Sequence, residues 1–512
     1  MSGKTKMKRF SITDLCQIIK AFPVKDASDE RRATSDGFFT GISIDSRTTK
    51  VGDCFFAIPG GNFDGHDYVS DAFAAGAVCA VVSKDVSSCV ARNASCKKNT
   101  HYTQYAQRKT QYGILKVEDT IKALGDFARE YRRQAGFKVV AITGSVGKTT
   151  TRHIAYHVLS RHFRVFQSPK NFNNNIGLPL TLLGANPEDQ VIIAELGTNR
   201  PGEIAYLTHI ALPDIAVVTN VHPAHLEGFG DLQTIIREKL SISDGLKSDG
   251  ILIINADLDQ LVAACRAKGI RVVTFGKSDN ANYQARSITS DGLSSRFTIN
   301  GTDVYLPLAG QGNIENALAA CAVCAQLGLT VDDFAQAVSA EEGLTPVSMR
   351  AELLQIGTLT VLNDCYNANP ASMKNALDIL AYLGSSQKRS TERSRRRRRL
   401  VFICGDMAEL GQQSELLHTE LGESITKAGV QLLLTVGRFA GVTAQAAKRA
   451  ADSIRHKMQI ECFEDALSAC NNLQKFIKDY DIILVKGSRT AKLEVVVEKL
   501  KTQNLIRHTS GG

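Results

Sequence analysis

The chain has 512 residues, of which 43% are hydrophobic and 22% charged. These values are typical of a globular protein, and the length exceeds what one hydrophobic core supports, so we expect roughly two to four domains. The net charge of +9 would suggest a nucleic-acid partner, but segment 388–399 alone carries +7, which excludes a generally basic surface. We interpret residues 385–399 as a disordered surface loop. A nucleic-acid contact through this loop is the alternative, disfavoured because the arginines have no aromatic neighbours.

Three features predict a cytoplasmic protein without a membrane span. Residues 1–10 are charged and no apolar stretch follows them, so they do not form a secretory signal. No apolar run approaches the ~18–20 residues that a membrane span needs. The 12 cysteines are scattered, many of them in apolar segments, which predicts reduced thiols. Cys321 and Cys324 form a C-x-x-C pattern inside an Ala/Val-rich helix, and we interpret them as core residues rather than metal ligands.

Three regions follow one another along the chain and predict an α/β fold. Residues 1–135 contain short strand-like pieces and glycine-rich turns, interrupted by a polar insertion at about 84–111. Residues 136–348 alternate strands with helices, and their Val/Ile runs are typical of parallel strands covered on both faces. Residues 349–512 repeat this alternation. The predicted strands are Val139–Thr143, Val191–Leu196, Ile215–Asn220, Ile251–Asn255, Val272–Phe275, Leu359–Asn363, Leu400–Cys404, Leu432–Val436 and Ile482–Val485.

The segment after the first central strand predicts a phosphate-binding loop. An apolar strand leads into a glycine turn, and a lysine and hydroxyls then open a helix. Backbone N–H groups of such a turn point at a phosphate, the lysine adds positive charge, and a hydroxyl can ligate Mg²⁺. The first glycine of the general P-loop pattern would fall at Ile142, so this is the shorter T-G-S-x-G-K-T form. The predicted nucleotide-binding residues are Gly144, Ser145, Val146, Gly147, Lys148, Thr149 and Thr150.

Polar residues also follow the next strands, and ligands of open α/β sheets bind at the carboxyl ends of strands. Glu195 lies in an apolar run, where a carboxylate must be paired or bound to metal, so Mg²⁺ ligation and structural pairing both stay open. His225 follows a later strand and is a candidate metal or substrate ligand, although Mg²⁺ prefers oxygen. Asn173, Asn174 and Asn175 predict either a substrate cradle, which we favour, or an elaborate turn.

Several motifs, in matching order over nearly the whole chain, resemble those of the Mur ligases, the ATP-dependent amide-forming enzymes of peptidoglycan precursor synthesis. The D-N-P-R motif of the diaminopimelate-adding branch is absent. The matching segments are Asp45-Ser46-Arg47, G-D-x-F-F-A at 52–57, D-G-H at 64–66, the loop at 143–150, N-x-N-N-x-I-G-x-P at 171–179, A-H-L-E-x-F-G at 224–230, D-x-Y-N-A-N-P at 364–370, G-D-M-x-E-L-G at 405–411 and K-G-S-R at 486–489.

The resemblance implies a fold of three domains. These are a small N-terminal UDP-binding α/β domain, a central P-loop ATPase-type domain with a parallel sheet, and a C-terminal Rossmann-like α/β domain. The implied activity is the ATP-dependent addition of D-alanyl-D-alanine to UDP-N-acetylmuramoyl-tripeptide through an acyl phosphate. The resemblance further implies a monomer that takes small-molecule substrates, uses ATP and Mg²⁺, and has no nucleic-acid partner.

The resemblance also implies roles for individual residues. Lys148, Lys239 and His225 would be catalytic. Lys239 falls where the family carries a carbamylated lysine, which would help to bind a second Mg²⁺; without the resemblance, an exposed helix lysine would be the preferred interpretation. The implied metal ligands are Thr149, Glu195, His225 and Lys239. Further implied nucleotide contacts are Asn316, Arg350 and Asp364, and the implied substrate contacts are Asp45, Ser46, Arg47, Asn173, Asn174, Asn175, Tyr366, Asn367, Asn369 and Lys486.

The chain departs from the family pattern at three positions. Gly312 stands where the family usually has His, which leaves one nucleotide contact open. Asn363 replaces one aspartate of a pair, and Leu493 stands where Met is more usual. Two rival functions stay open, a related amide ligase of the folylpolyglutamate synthetase type and a nucleic-acid-linked P-loop NTPase that uses the arginine run.

Overall fold

The computed structural model describes residues 8–23, 37–86, 113–223, 226–340, 343–386 and 398–509. Within these ranges the chain forms three α/β units, each built on one main sheet. None of the helices in these ranges is long and apolar enough to cross a membrane. The predicted insertion at about 84–111 lies outside the described residues except for its first three positions, 84–86.

The N-terminal unit contains, in chain order, β1 (Phe10–Ser11), α1 (Ile12–Ile18), β2 (Phe22–Pro23), β3 (Phe38–Phe39), β4 (Gly41–Ser43), β5 (Asp53–Phe56), α2 (Val69–Ala75), β6 (Cys79–Val82), β7 (Gly113–Lys116) and α3 (Thr120–Gln134). Its main sheet has the order β2-β7-β6-β5-β4 among the described strands. β4 to β7 are parallel and β2 is antiparallel, while β1 and β3 form a separate antiparallel pair.

The central unit contains β8 (Lys138–Thr143), α4 (Lys148–Leu159), β9 (Val165–Gln167), α5 (Gly177–Leu183), β10 (Val191–Glu195), α6 (Glu203–Ala211), β11 (Ile215–Val218), α7 (Leu226–Phe229), α8 (Leu232–Leu240), β12 (Ile251–Asn255), α9 (Asp259–Ala267), β13 (Val272–Gly276), β14 (Tyr283–Ser290), β15 (Ser295–Ile299), β16 (Thr302–Leu306), α10 (Gln311–Gln326) and α11 (Val331–Ser339). The strand order is β16-β15-β14-β13-β12-β11-β8-β10-β9. Strands β8 to β14 are parallel, and β15 and β16 add an antiparallel edge.

The C-terminal unit contains β17 (Glu352–Ile356), β18 (Leu359–Asn363), α12 (Pro370–Ser386), β19 (Leu400–Gly405), α13 (Ser414–Lys427), β20 (Leu432–Val436), α14 (Ala440–Ser453), β21 (Gln459–Phe463), α15 (Ala466–Phe476), β22 (Ile482–Lys486) and α16 (Glu494–Thr509). The strand order is β17-β18-β22-β19-β20-β21, parallel apart from β17. β22 inserts between β18 and β19, so the chain reverses its winding there and opens a crevice at the carboxyl ends of these strands.

The Val/Ile runs of the central strands are explained by the two hydrophobic cores that cover the sheet. Val139 and Ala141 of β8 pack into one core, and Val140 and Ile142 pack into the other, because successive side chains of a strand point to opposite faces. Both faces are therefore apolar, as expected for a parallel sheet between helices.

Each predicted strand of the central and C-terminal regions is confirmed to within two residues at either end. β9, β14 to β17 and β21 were not predicted from the sequence. β14 consists largely of polar residues that are exposed or partly exposed, and on one side it pairs with the antiparallel β15. It therefore has no continuous apolar run to detect. Cys321 and Cys324 are buried in α10, which confirms their interpretation as core residues.

The predicted disordered loop at 385–399 is wrong at both ends. Ser385 belongs to α12, and Arg399 precedes β19. The Arg399 guanidinium donates to both carboxylate oxygens of the buried Asp481, at 3.0 and 2.7 Å, and to the carbonyl of Phe476. A buried carboxylate therefore fixes this arginine. Residues 387–397 lie outside the described residues.

A buried arginine joins the helix that leads out of the N-terminal unit to the central sheet. Arg132 of α3 is 2% exposed and forms an ion pair of 2.7 Å with Asp214, which precedes β11. Its guanidinium also donates to the carbonyls of Ala211, Phe137 and Leu212 at 2.9–3.1 Å. All three guanidinium nitrogens of Arg132 thus donate hydrogen bonds, and these bonds lie at the amino ends of the central strands.

Candidate functional site

The predicted phosphate-binding loop leaves the carboxyl end of β8 and enters α4, which confirms the predicted strand–turn–helix arrangement. Gly144 and Gly147 have φ angles of 146° and 85°, which L side chains rarely adopt. A Cβ atom on Gly144 would lie 2.0 Å from the Thr219 hydroxyl, and one on Gly147 would lie 2.1 Å from the Asn316 amide oxygen. Both the backbone conformation and the lack of space therefore require glycine here.

The end of β11 holds this loop in shape. The backbone N–H of Val146 donates to Asn220 Oδ1 at 2.9 Å, and that of Ser145 donates to the Asn220 carbonyl at 3.1 Å. The Thr219 hydroxyl donates to the Val146 carbonyl at 2.7 Å. Asn220 was not predicted as a site residue. Its position directly after β11, which neighbours β8 in the sheet, was the available signal.

Lys148 is half-buried at the first position of α4. Its Nζ donates to the Gly144 carbonyl at 2.7 Å, so the amine is folded back over the loop. Burial lowers its pKa to about 8, and the nearby positive charge of Arg350 acts in the same direction, while Glu195 opposes the shift. An anion placed here would restore the ordinary preference for the charged amine.

Glu195 ends β10 and lies between two residues of α4. The Thr149 hydroxyl donates to its Oε2 at 3.2 Å. Arg152, one turn further along the helix, places Nε 3.2 Å from Oε1, but the geometry is not that of a hydrogen bond. Both interpretations of Glu195 are therefore compatible with its contacts, since it is paired and also keeps an acceptor oxygen without a donor among the described residues.

The asparagine segment between β9 and α5 combines a turn with a polar wall. Asn174 Oδ1 accepts from the N–H groups of Ile176 and Gly177 at 3.2 and 2.8 Å, which is a turn and helix-start function. Asn173 lies against Gly197, and a Cβ there would come within 2.9 Å of its amide carbon. Asn173, Asn174 and Asn175 also line the cleft described below. The turn interpretation thus holds for Asn174 without excluding the cradle.

Lys239 is not an exposed helix lysine. It lies on α8, is 2% exposed, and burial, together with the positive charge of Lys148, holds its pKa well below the ordinary value. Because the neutral amine of lysine is the form that reacts with CO₂, this environment is compatible with a carbamate. His225 lies outside the described residues, and among those described no three His, Cys, Asp or Glu side chains form a metal cluster.

The C-terminal unit contributes a second polar group at the ends of β18 and β22. The buried Lys486 amine donates to Asp364 Oδ2 at 2.6 Å and to the Asn367 carbonyl at 3.0 Å. Asp364 Oδ1 accepts from the backbone N–H of Ala351 at 3.0 Å. The Arg350 guanidinium lies 4.2 Å from the centre of the Tyr366 ring, within range of a cation–π interaction.

One cleft of ≈ 1120 Å³ brings these groups together between the central and C-terminal units. Gly312 lies in its wall, and its backbone N–H donates to Asn375 of α12 at 3.2 Å. The predicted residues that line the cleft are Ser145, Val146, Gly147, Lys148, Thr149, Thr150, Asn173, Asn174, Asn175, Glu195, Asn316, Arg350, Asp364, Tyr366, Asn367, Asn369 and Lys486.

The remaining predicted residues that the structure describes lie outside the cleft wall. Gly144 belongs to the loop but does not line the cleft. Lys239 does not line the cleft either. Asp45, Ser46 and Arg47 follow β4 in the N-terminal unit, where Arg47 donates to both carboxylate oxygens of Asp45 at 2.9 and 2.6 Å. The structure therefore assembles the predicted nucleotide and central-substrate residues in one place and keeps the predicted UDP contacts separate.

Comparison with known proteins matches three consecutive segments of the chain to Mur ligase models. Residues 38–132 match the Mur ligase family catalytic domain, residues 142–324 the Mur ligase middle domain, and residues 349–489 the Mur ligase glutamate ligase domain. The chain is 32% identical over 467 residues to UDP-N-acetylmuramoyl-tripeptide–D-alanyl-D-alanine ligase of Bacillus subtilis (strain 168), covering 90% of this chain and 93% of the relative. The corresponding protein of Escherichia coli (strain K12) is 33% identical over 469 residues, with coverage of 90% and 93%.

Solved structures agree with these sequence matches. A crystal structure of MurF from Acinetobacter baumannii superposes with a TM-score of 0.79 at 28% identity, covering 97% of this chain and 99% of that chain. The MurF ligase of Thermotoga maritima in complex with ADP gives a TM-score of 0.71 at 26% identity, with coverage of 91% and 98%.

A phosphate loop that faces a Rossmann-like unit across one polar cleft defines a nucleotide-binding α/β enzyme with three domains. The chain belongs to the Mur ligase family.

Proposed function

We propose that this protein is an ATP-dependent ligase that joins D-alanyl-D-alanine to UDP-N-acetylmuramoyl-tripeptide. The observation that carries the proposal is the single cleft in which Lys148 and its loop face Arg350, Asp364 and Lys486. Relatives named for this reaction match the chain over 90% of its length, which supports the choice of substrates. The product would be the UDP-linked pentapeptide, with release of ADP and phosphate.

The proposed reaction has two steps. The terminal carboxylate of the tripeptide attacks the γ-phosphorus of ATP, forming an O–P bond while the bond to the bridging oxygen breaks and ADP leaves. The amine of D-alanyl-D-alanine then attacks the acyl carbon, a C–N bond forms, the amine loses a proton, and phosphate leaves with one former carboxylate oxygen. Phosphorylation is needed because a carboxylate offers no good leaving group of its own.

The described side chains fit the first step. Two anions must approach each other, so positive charge has to be placed between them in advance. Lys148 and Arg350 supply that charge from opposite walls of the cleft, and their proximity is reflected in the lowered pKa of Lys148. Asn316 lies beside Gly147 of the loop, which supports its assignment as a nucleotide contact. Asp364 and Lys486 form an ion pair of 2.6 Å at the adjacent ends of β18 and β22.

We assign divalent cations to Thr149, Glu195, His225 and Lys239, with Lys239 helping to bind a second Mg²⁺. Thr149 and Glu195 fit Mg²⁺ because their oxygens lie 3.2 Å apart and Glu195 Oε1 has no hydrogen-bond donor among the described residues. Mg²⁺ at this position would neutralise phosphate charge. The buried Lys239 would contribute after carbamylation, which turns its amine into an oxygen ligand.

We propose domain limits at 1–135, 136–348 and 349–512, with the UDP group bound near Asp45, Ser46 and Arg47 of the first domain. The three main sheets support this division, and the paired Arg47 and Asp45 follow β4 of the first unit. We further propose a monomeric cytoplasmic enzyme. The described cysteines are free thiols and mostly buried, which fits a reducing compartment that supplies ATP.

Phosphate release tests this proposal. The protein should release phosphate only when UDP-N-acetylmuramoyl-tripeptide, D-alanyl-D-alanine and ATP are all present, and omission of any one should abolish the signal. ATP hydrolysis that is indifferent to the dipeptide would exclude the ligase. A panel of related acceptors, including folates and single amino acids, separates this enzyme from the other amide ligases of the superfamily.

Two variants test the finer assignments. Lys239→Ala should lose activity, and added short-chain carboxylate should restore part of it if a carbamate is the missing group; unchanged turnover would remove Lys239 from the site. Deletion of residues 388–397, which keeps the Arg399–Asp481 ion pair, should leave phosphate release unchanged. If instead the wild type lacks ligase activity and binds nucleic acid only when this segment is present, the rival NTPase function is favoured.

A further inference from the structure

Arg152 is a buried cation that has no assigned role in the proposed reaction. It lies on α4, three residues after Thr149, and is 7% exposed. Its Nη1 donates to the carbonyl of Ser168 and, at 3.4 Å, to that of Lys170, while Nε lies 3.2 Å from Glu195 Oε1. One guanidinium therefore contacts two segments besides its own helix.

Those contacts join three walls of the cleft. α4 carries Lys148 and Thr149, and β10 ends in Glu195. Ser168 and Lys170 begin the segment that continues into the asparagines at 171–175, and Lys170 turns that segment with a φ of 47°. The Ser168 hydroxyl also accepts from the backbone N–H of Glu195 at 3.2 Å, so the two contacted segments are themselves connected.

We propose that Arg152 is a positioning residue that fixes, at the same time, the direction of the Glu195 carboxylate and the place of the asparagine segment at 171–175. The inference rests on the proposed function for its kinetic consequences. Thr149 holds one oxygen of Glu195 and Arg152 faces the other, so two residues one turn apart on α4 set the orientation of the carboxylate.

An arginine suits this position better than a lysine. A planar guanidinium can address a carboxylate and two carbonyls in different directions, whereas an ammonium group at the end of a flexible chain is a single point charge. Arg152→Lys therefore keeps the charge but loses the simultaneous contacts. A role limited to charge compensation would be satisfied by lysine, and a positioning role would not.

Arg132 provides a matched control. It is a second buried arginine of the same fold, paired with Asp214 and bound to carbonyls, but it lies at the amino ends of the strands, away from the cleft. Arg132→Met should lower stability and leave the kinetic constants of the folded enzyme unchanged. Any effect of Arg152→Met beyond that of Arg132→Met is then specific to the cleft.

The experiment compares wild type, Arg152→Met, Arg152→Lys and Arg132→Met. For each we would measure kcat, the KM of all three substrates, the Mg²⁺ concentration for half-maximal rate, the thermal midpoint, and hydrogen exchange of residues 168–177 in the metal-free protein. For Arg152→Met we expect a 10–100-fold lower kcat and a raised Mg²⁺ requirement, as for other residues that orient metal ligands. Faster exchange confined to 168–177 should accompany it, and Arg152→Lys should not rescue these changes.

Each possible result either supports or overturns the proposal that Arg152 is a positioning residue. If Arg152→Met behaves like Arg132→Met, with a lower midpoint but unchanged KM and Mg²⁺ dependence, Arg152 is only a structural ion-pair partner. If Arg152→Met does not fold, Arg152→Lys decides in its place, and wild-type constants for it would overturn the proposal. Inactivity of the wild type with all three substrates would refute the proposed function instead, and the exchange of 168–177 would still decide whether Arg152 positions that segment.

Discussion

A buried arginine–carboxylate pair lies at each end of the central strands. The end where the strands begin is called the amino edge of the sheet, and the end where they finish is called the carboxyl edge. The two pairs differ in how many of their polar atoms form hydrogen bonds. At the amino edge, Asp214 accepts from Arg132, Lys247 and the backbone N–H of Val139 at 2.7–3.0 Å. At the carboxyl edge, Arg152 Nε and Glu195 Oε1 have no hydrogen-bond partner among the described residues.

We infer from this difference that the pair at the amino edge contributes to stability and that the pair at the carboxyl edge contributes to function. Where every donor and acceptor is used, a buried ion pair connects elements and offers nothing to a ligand. At the carboxyl ends, one acceptor and one donor of the described residues stay open beside the loop, and we propose that this leaves capacity to bind a substrate or cation. The lowered pKa values of Lys148 and Lys239, both caused first by burial, also belong to the carboxyl side of the sheet.

The largest expected effect is on stability at the amino edge. Arg132→Met leaves Asp214 buried with less positive charge around it, and removal of one partner of a buried pair typically destabilises by about 3–5 kcal/mol. Chemical denaturation should show this loss, while kcat and the three KM values of the folded fraction stay at wild-type values. A change in any KM would contradict the separation of the two edges.

Lys148→Met should show the opposite pattern. Loss of a preorganised positive charge at the transferred phosphoryl group should lower kcat by about 10²–10³-fold, the range found when one oxyanion-stabilising donor is removed. The free energy of unfolding should not fall, because the lowered pKa shows that the folded site disfavours the charged amine. Retained turnover would exclude Lys148 from the reaction.

ATP binding should depend on pH above neutrality. Lys148 has a lowered pKa of about 8, so the amine of the free enzyme is charged below that pH and increasingly neutral above it. Since ATP binds the charged form, its affinity should be constant below about pH 8 and fall as pH rises further, by about tenfold per unit. Equilibrium titrations between pH 7 and 9.5 measure this, and Lys148→Met should lose the dependence.

The smallest effect concerns acid stability. Burial opposes the ionisation of Asp214, but the Val139 N–H and the charges of Arg132 and Lys247 outweigh it and lower its pKa. A carboxyl with a lowered folded pKa stabilises the fold above its unfolded pKa of about 3.9, and this contribution is lost as pH falls through the folded value. Asp214→Asn should therefore flatten the decline of unfolding free energy below about pH 4. If the unfolding free energy of Asp214→Asn declines as steeply as that of the wild type, other carboxylates cause the decline.

Much of the carboxyl edge was predictable from sequence, and little of the amino edge was. Strand periodicity and the glycine–lysine loop located Lys148, Thr149 and Glu195, because those residues follow recognisable apolar runs. Arg152 was missed although it lies one turn after Thr149, since helix spacing alone does not show which strand a side chain faces. The pairing of Arg132 with Asp214 joins residues 82 positions apart, which no local pattern encodes.

The central claim, that this cleft activates a carboxylate by phosphoryl transfer, has one direct test. UDP-N-acetylmuramoyl-tripeptide labelled with ¹⁸O in its terminal carboxylate is incubated with ATP and D-alanyl-D-alanine, and the released phosphate is analysed by mass spectrometry. An acyl-phosphate route predicts that each phosphate carries one oxygen from the labelled carboxylate, in equal number to the amide bonds formed. Phosphate without ¹⁸O would mean that water attacks ATP, and it would contradict the proposed function.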